Sequence, residues 1–311
     1  MKSARRPILR GFTIVELLVV IVVIGILAAV SIVSYTGITK KAVNTSLQSD
    51  LANASKLLKI FQIDNNNYPT TIRCDIADSN VNKCLRSSSG NSFGYSFSNA
   101  SNAQTFLLSA YNGTNAYSIT NDSIPKSWIT IGTQTWAPYN LNVGTKILGS
   151  ANPGNNATVE KWCYSDLESN CTTYGALYSW DEMMQYSATP DSPPIQGICP
   201  DGSHLPTDNE WKTLEMALGM DQATADLTGY RGTDQGTQVK IGGSTGLNFP
   251  QPGYRNTAPA FISIDTRELI WSSTQNGANA WLRNVDLANA NMRRDGSNIK
   301  TQGFSVRCLK N

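Results

Sequence analysis

The sequence predicts an α+β protein in which one long helix precedes a small antiparallel sheet, followed by a second α+β segment. Three observations predict this class. Residues 12–33 are almost wholly apolar, and apolar residues recur at helical spacing as far as residue 63. Three short strand-like runs, separated by turns containing Asn and Gly, come next. From residue 126 the chain is rich in aromatic residues and glycine, with two helical runs among short strands.

The composition favours an exported, β-rich protein over a cytosolic enzyme. Charged residues make up 15% of the 311 residues, while small polar residues are abundant. The formal net charge is +2, but Lys2, Arg5, Arg6 and Arg10 all precede Phe12. The rest of the chain has no basic excess, so nucleic acid is not expected as a partner.

The apolar run at residues 12–33 predicts a transmembrane helix. As a helix it would be ~33 Å long, against a hydrocarbon core of ~30 Å. The basic residues before it keep the N-terminus cytoplasmic. A cleaved signal peptide is the alternative, but the run is longer than usual and no A-x-A site follows it. Glu16 lies inside the run, where a charge costs free energy and therefore needs a partner.

The helical periodicity continues beyond the apolar run. It predicts an amphipathic helix over residues 34–63, which ends before Pro69. Residues 64–125 are predicted to form a loop holding Cys74 and Cys84, followed by a small sheet. The three strand-like runs of that sheet are "SFGYSFS", "AQTFLLSAY" and "NAYSIT".

A module boundary is predicted within "NDSIPKSW". In the segment that follows, "WITIGTQTWAPYNLNVG" predicts strand, turn and strand. Helices are predicted at "YGALYSWDEMMQY" and at "LPTDNEWKTLEMALG", where Thr207 and Glu210 form a capping box and Gly219 ends the helix. Three later runs predict strands: "LIWSST", "AWLRNVDL" and "GFSVRCL".

The cysteines predict three disulfides. Their number is six, no C-x-x-C pair occurs, and the single histidine, His204, is distant from them in sequence, which disfavours a zinc site. An even number in an exported chain is typical of disulfides, with fifteen possible connectivities. Sequence proximity favours these pairs: Cys74–Cys84, Cys163–Cys171 and, by remainder, Cys199–Cys308.

The N-terminus resembles that of type IV prepilins: a basic leader, then Gly11, Phe12, Thr13 and Glu16, then a long aliphatic run. The resemblance implies that prepilin peptidase removes residues 1–11 by cleaving between Gly11 and Phe12, and that Phe12 becomes N-methylated. It also implies that Glu16 pairs with the terminal amine of a neighbouring subunit during assembly. Many pilins have a proline later in this helix, whereas this chain has Gly25 and none.

A pilin module over residues 12–125 implies partners and a location. The partners would be other pilin subunits, prepilin peptidase and the pilus assembly machinery in the membrane. The protein would be a single-pass membrane protein before assembly and part of an extracellular pilus or fimbrium afterwards.

Residues 126–311 resemble the Fibrobacter succinogenes major paralogous domain. The motifs that carry the resemblance include "IGTQTWAPYNLNVG", "GICPDGSHLPTDNEW" and "GFSVRCLKN". The resemblance implies a fold related to C-type lectin-like and formylglycine-generating-enzyme-like domains, in which Cys199–Cys308 would tie the first helix region to the last strand. The expected function is therefore a pilin-like subunit that displays a lectin-like domain for adhesion to an unknown surface glycan or protein. A pseudopilin of a type II secretion or DNA-uptake apparatus and a membrane-tethered enzyme are the alternatives.

The ligand-binding region is expected at about residues 229–265, because ligands of lectin-like folds usually meet the long loop region before the final strands. Irregular exposed segments often carry function. For any single residue, mutual hydrogen bonding within the loop is the alternative. The candidate residues are Arg231, Asp234, Gln238, Tyr254, Arg255 and Asn256.

No cofactor is expected, and no catalytic motif is present. Calcium near Asp234 or Asp265 is an open alternative without a diagnostic ligand spacing. His204 is expected to be a packing residue, and Asp181 with Glu182 a solvated helix face. Most tryptophans, including Trp180, Trp211 and Trp271, are expected in the core rather than on a sugar-stacking surface.

Overall fold

The computed structural model describes residues 14–100, 103–121 and 123–311 and confirms the α+β class. The chain divides into two compact units, the first ending at Ser46 and the second comprising Leu47–Asn311. The helices are α1 (Ile14–Asn65), α2 (Glu168–Tyr174), α3 (Trp180–Met183), α4 (Asp208–Ala217), α5 (Gln222–Asp226) and α6 (Gln235–Val239), with a 3-10 turn at Tyr164–Asp166.

The strands form several small sheets rather than one large one. They are β1 (Ser92–Ala100), β2 (Ala103–Asn112), β3 (Asn115–Thr120), β4 (Lys126–Ser127), β5 (Ile129–Ile131), β6 (Gln134–Trp136), β7 (Thr145–Lys146), β8 (Glu160–Lys161), β9 (Ser203–His204), β10 (Gly229–Arg231), β11 (Tyr254–Arg255), β12 (Phe261–Ile262), β13 (Arg267–Asn276), β14 (Asn279–Asp286), β15 (Met292–Ile299) and β16 (Leu309–Lys310).

Helix α1 runs without a break and ends before Pro69, as the periodicity predicts. In the first unit its apolar side chains are exposed, from Ile14 at 83% to Val30 at 60%. In the second unit Leu51 and Leu58 are fully buried. The span predicted over residues 12–33 is not confirmed: within the described ranges, no helix meets the length and apolarity that crossing a membrane requires.

The small sheet has the order β1-β2-β3-β4, and all of its pairs are antiparallel. Its first three strands match the predicted runs, whereas the two-residue β4 was not predicted. Phe106 and Leu108 on β2 are buried. Gln62 Nε2 on α1 donates to Gln104 Oε1 at 2.7 Å, which fixes the helix against β2.

Two four-stranded sheets organise the rest of the second unit, with orders β10-β15-β14-β13 and β5-β6-β16-β9. Helix α4 packs on β13 and β14. The rings of Trp136 and Trp211 lie 4.7 Å apart in the core beneath it. A second core joins Leu107 and Tyr111 of the small sheet to Trp271 of β13. Residues on both sides of the predicted module boundary therefore share one hydrophobic core.

Helix α4 has the predicted start and end. Thr207 Oγ1 accepts a hydrogen bond from Glu210 N, and Glu210 Oε2 accepts one from Thr207 N at 2.8 Å, so both halves of the capping box are present. Gly219 follows the helix with φ +97°, a conformation that side chains rarely adopt.

The predictions for two other segments were partly wrong. The helix expected over residues 174–186 is only α3, because Leu177 and Tyr178 instead form bridges to Trp162 and Phe304. The strand expected over "GFSVRCL" is mostly bridges and extended chain before β16. Strand β15 was not predicted, because "MRRDGSNI" lacks a clear alternation of apolar and polar residues.

A buried ionic cluster lies between α4 and the sheet that contains β14. Arg283 bonds Asp208 at 2.7 Å and Glu215 at 2.5 Å. Arg231 bonds the other Glu215 oxygen at 2.5 Å, and Arg294 bonds Asp208 at 2.7 Å. Each carboxylate thus meets two guanidinium groups, which compensates the cost of burying these charges.

Three disulfides are present: Cys74–Cys84, Cys163–Cys171 and Cys199–Cys308. These are the pairs that sequence proximity favours. Cys199–Cys308 joins residues 109 positions apart and connects the segment before β9 to the segment before β16.

Candidate functional site

The predicted processing and assembly residues are at the edge of the described chain. Gly11 and Phe12 lie outside the described residues. Glu16 falls within α1, but its side chain is outside the described part of the structure. The roles of all three therefore stay predictions.

The two arginines of the predicted ligand-binding set lie inside the domain. Arg231 is 4% exposed and bonds Glu215 and the carbonyl of Met292. Arg255 is 1% exposed, donates to Gly149 O at 2.7 Å and lies over the ring of Trp162 at 4.1 Å. Both guanidinium groups hold the fold together, so the geometry does not support their contact with a ligand.

The other members of that set bond mainly to their own surroundings. Gln238 Nε2 donates to Leu218 O and to Asp234 Oδ1, both at 3.0 Å. Tyr254 packs edge-on against the ring of Phe304. Asn256 Oδ1 accepts from two backbone N–H groups of its own loop. Binding by these residues stays a prediction, while the bonds match the alternative of mutual satisfaction.

A cleft of about 670 Å³ lies where the small sheet meets the C-terminal segment. Part of its wall comes from residues 241–250, inside the loop region expected to bind a ligand, but from none of the six residues named for that role. Its lining includes Thr105, Leu107, Thr120, Lys126, Tyr139, Asn140, Asn142, Thr172, Thr173, Tyr174, Ile241, Asn248, Pro250 and Arg307.

Asn140 and Arg307 form the rigid polar part of this cleft. Asn140 Oδ1 accepts from Arg307 Nε at 3.0 Å and from Nη2 at 2.9 Å, while its Nδ2 donates to Tyr174 O. Gly175 approaches so closely that a Cβ there would lie 2.5 Å from Asn140 Cβ. A glycine at the end of α2 is therefore required for the cleft wall to close on Asn140.

Burial controls the electrostatics of the cleft. Desolvation lowers the pKa of Arg307 to about 10, and the charge of Glu268 opposes this effect. Burial also disfavours the charged form of Tyr139. It raises the pKa of this residue, so the hydroxyl stays protonated. The Thr105 hydroxyl is buried without a hydrogen-bond partner among the described residues. These groups are buried, so the part of the cleft open to a polar ligand comes from its exposed lining residues Lys126, Thr172, Thr173 and Asn248.

The side chains that could suggest catalysis or metal binding form disulfide or hydrogen bonds within the chain. Cys163, Glu168 and Cys171 lie close together, but the two sulfurs form a disulfide and offer no thiolate. His204 is buried between Asn311 and Glu210, as expected of a packing residue. Asp265 accepts a hydrogen bond from the Tyr174 hydroxyl at 2.7 Å. Calcium binding stays an untested alternative.

The expectation of a solvated Asp181–Glu182 face was wrong for Glu182. Its side chain is buried, accepts from Glu160 N at 2.9 Å and from the Tyr186 hydroxyl at 3.0 Å, and has a pKa raised by burial. Glu182 lies on the short helix α3 beside the buried Met183, and the bonds of its carboxylate are made inside the domain. Trp180, Trp211 and Trp271 are buried, as expected of core residues.

Two family models match the chain in separate places. Residues 129–310 match the Fibrobacter succinogenes major domain, and residues 10–32 match the prokaryotic N-terminal methylation motif. The comparison with solved structures found no significant match, so the lectin-like fold is not confirmed.

Curated relatives resemble the N-terminal part of the chain. The type II secretion system core protein G of Klebsiella michiganensis is 40% identical over 67 residues, which are 22% of this chain and 47% of that protein. The corresponding protein of Escherichia coli is 40% identical over 62 residues, 20% of this chain and 43% of that protein. The chain thus spans less than half the length of these relatives.

A pilus component also resembles this part of the chain. The type IV wide pilus major component of Thermus thermophilus is 38% identical over 90 residues, 27% of this chain and 69% of that protein.

The cleft residues on β2, β3 and α2 were missed by sequence reasoning, because no local motif marks side chains that converge only after the two segments pack.

Proposed function

The chain belongs to the family defined by the Fibrobacter succinogenes major domain, here fused to a pilin- or pseudopilin-like N-terminus, and from this we propose that it is a filament subunit that displays this domain. Before assembly, the apolar N-terminal helix anchors the subunit in the membrane. After assembly, the domain faces the outside of the cell.

The difference in side-chain exposure between the two parts of α1 supports this proposal. Between Ile14 and Val30 its large apolar side chains are exposed, whereas from Leu47 onwards the buried face supports the second unit. Extended exposed apolar surface marks a site of association. In a filament, this apolar surface would be covered by the N-terminal helices of neighbouring subunits. The second unit would then stay free for display.

The processing steps follow from this assignment. Prepilin peptidase cleaves after Gly11, and Phe12 becomes the methylated N-terminal residue. Glu16 then pairs with the cationic amine of a neighbouring subunit as the helix enters the filament. An unpaired charge left in such a core costs about 3–5 kcal/mol, so the pair would select the correct register.

Mass spectrometry and a matched pair of variants test the proposal. The assembled protein should begin at methylated Phe12. Glu16→Ala should remain processed but be depleted from filaments, whereas Asp64→Ala, which removes an exposed carboxylate near the other end of α1, should assemble normally. Assembled protein that begins at Met1, or normal incorporation of Glu16→Ala, contradicts the proposal.

Two kinds of filament remain to be separated. Coverage of 69% of a pilus component supports a surface pilus, while the similarity to type II secretion core proteins supports a secretion pseudopilus. Electron microscopy of cells with and without the gene distinguishes them. Loss of surface filaments supports the pilus, and intact filaments with a secretion defect support the pseudopilus.

Adhesion is the finer part of the proposal, with the cleft as the site for a polar surface ligand such as a glycan. Thr173 is exposed on the wall formed by α2, and Thr237 is exposed on α6 outside the cleft. In cells that carry the variant, Thr173→Arg should reduce adhesion, whereas the matched control Thr237→Arg should not. Equal adhesion by both variants, at equal amounts of assembled protein, would overturn the assignment of the cleft.

A further inference from the structure

Lys161 has an environment unlike that of an ordinary lysine. Its side chain is fully buried, with Nζ 2.6 Å from Asn142 Oδ1 and 3.1 Å from Glu168 Oε1. Glu168 keeps 26% of its side chain exposed. A lysine amine, a carboxamide and a carboxylate therefore meet at one point.

Local structure fixes these three groups. Lys161 lies on β8, which pairs in parallel with β7, and Asn142 lies just before β7. Glu168 is the first residue of α2, in the loop closed by the Cys163–Cys171 disulfide. The strand pair thus sets the distance from lysine to amide, and the disulfide holds the carboxylate beside them.

The surroundings favour a reactive amine. Desolvation lowers the pKa of Lys161, and the charge of Lys146 acts in the same direction, while Glu168 opposes both. Only the neutral amine has a free electron pair with which to attack a carbonyl carbon, and burial is the usual means of activating a lysine. Glu168 is within reach of the protons that such an attack must move.

We propose that Lys161 and Asn142 become joined by an intramolecular isopeptide bond, with Glu168 as the proton shuttle. Glu168 first takes a proton from the ammonium group. The neutral Nζ then attacks Cγ of Asn142, and the Glu168 carboxyl donates its proton to the departing nitrogen while it receives one from the attacking nitrogen. One C–N bond forms, one C–N bond breaks, and ammonia leaves, with no change in oxidation state.

The bond would give the domain a covalent link that reduction does not break. It would close the segment between Asn142 and Lys161, next to the loop that the Cys163–Cys171 disulfide closes. A displayed domain under tension would then keep this region intact in a reducing medium. The inference concerns a modification of the chain and does not depend on the proposed filament function.

Peptide mapping of the full chain tests the bond directly. After reduction of the disulfides, trypsin should not cleave after an acylated Lys161. The digest should therefore contain peptide 127–146 joined to peptide 147–212, lighter than their sum by the mass of ammonia, about 17 Da. Recovery of peptides 127–146 and 147–161 as the separate, dominant species overturns the proposal and leaves an ordinary buried ion pair.

Two variants test the role of Glu168. Glu168→Gln keeps the size of the side chain but cannot accept the proton, so the linked peptide should disappear. The intact variant should then have the full mass of the unlinked chain, without the loss of ammonia. Lys146→Arg, on the neighbouring strand, keeps the trypsin site and should keep the link. An unreduced digest that retains Cys163–Cys171 shows that each variant has folded. A fully linked Glu168→Gln protein contradicts the shuttle role.

Discussion

Glu268 is a fully buried carboxyl group on β13, and its replacement by glutamine should make the protein more stable at high pH. Glu268 is 0% exposed, and its Oε1 has no hydrogen-bond partner within the described ranges. Desolvation raises its pKa to about 7, although the charge of Arg307 and the hydrogen bond from Gln251 N act in the opposite direction.

The sign of the effect follows from proton binding. Between its ordinary pKa near 4.3 and the raised value, Glu268 holds a proton in the folded state that it has lost in the unfolded state. The free energy of unfolding therefore falls as pH rises through this window. At about 1.4 kcal/mol per pKa unit, Glu268 removes about 3 kcal/mol between pH 4 and pH 8. Glutamine stays neutral throughout, so the Glu268→Gln variant does not lose this part of its free energy of unfolding as pH rises.

The assay is urea unfolding of the full chain in detergent, followed by tryptophan fluorescence at several pH values. All seven tryptophans lie between residues 128 and 281, so the signal reports on the second unit. The difference in unfolding free energy between Glu268→Gln and the natural chain should grow by about 3 kcal/mol from pH 4 to pH 8.

The exposed Asp234 offers a matched carboxylate-to-amide control. Asp234→Asn should shift the free energy of unfolding by about 0.5 kcal/mol or less, since surface substitutions have small effects. A difference for Glu268→Gln that stays constant with pH, or that falls as pH rises, would refute the argument from burial.

Three further predictions concern stability, each measured by urea unfolding at neutral pH. Glu215→Gln removes the charge that two buried guanidinium groups share and should cost about 3–5 kcal/mol; a loss below 1 kcal/mol would contradict the importance of this cluster. Thr207→Ala removes the cap of α4 and should cost about 1 kcal/mol, and an unchanged midpoint would count against the cap. Replacing Cys199 and Cys308 together by serine should cost about 4–5 kcal/mol; equal stability of this variant and the natural chain would show that the long loop contributes little.

Local patterns in the sequence determined much of the fold. The periodicity of α1 and the alternation in β1–β3 depend on neighbouring residues, as does the capping box of α4, so each could be predicted from a short window. Proximity in sequence also favoured the correct cysteine pairs. The N-terminal methylation motif could likewise be predicted from the sequence, because its residues are consecutive in the chain.

Only the tertiary structure decided which polar side chains are buried and which groups converge. Arg255 belongs to a loop whose composition suggested an exposed surface, yet its guanidinium bonds carbonyl groups about 100 positions away in sequence. Glu182 is buried, and its carboxylate accepts a hydrogen bond from Glu160 N, 22 positions away in sequence. Asn142, Lys161 and Glu168 form no motif in the sequence, and they meet because a parallel strand pair and a disulfide bring them together. Long-range contacts of this kind depend on how whole elements pack, and no local pattern of residues records that packing.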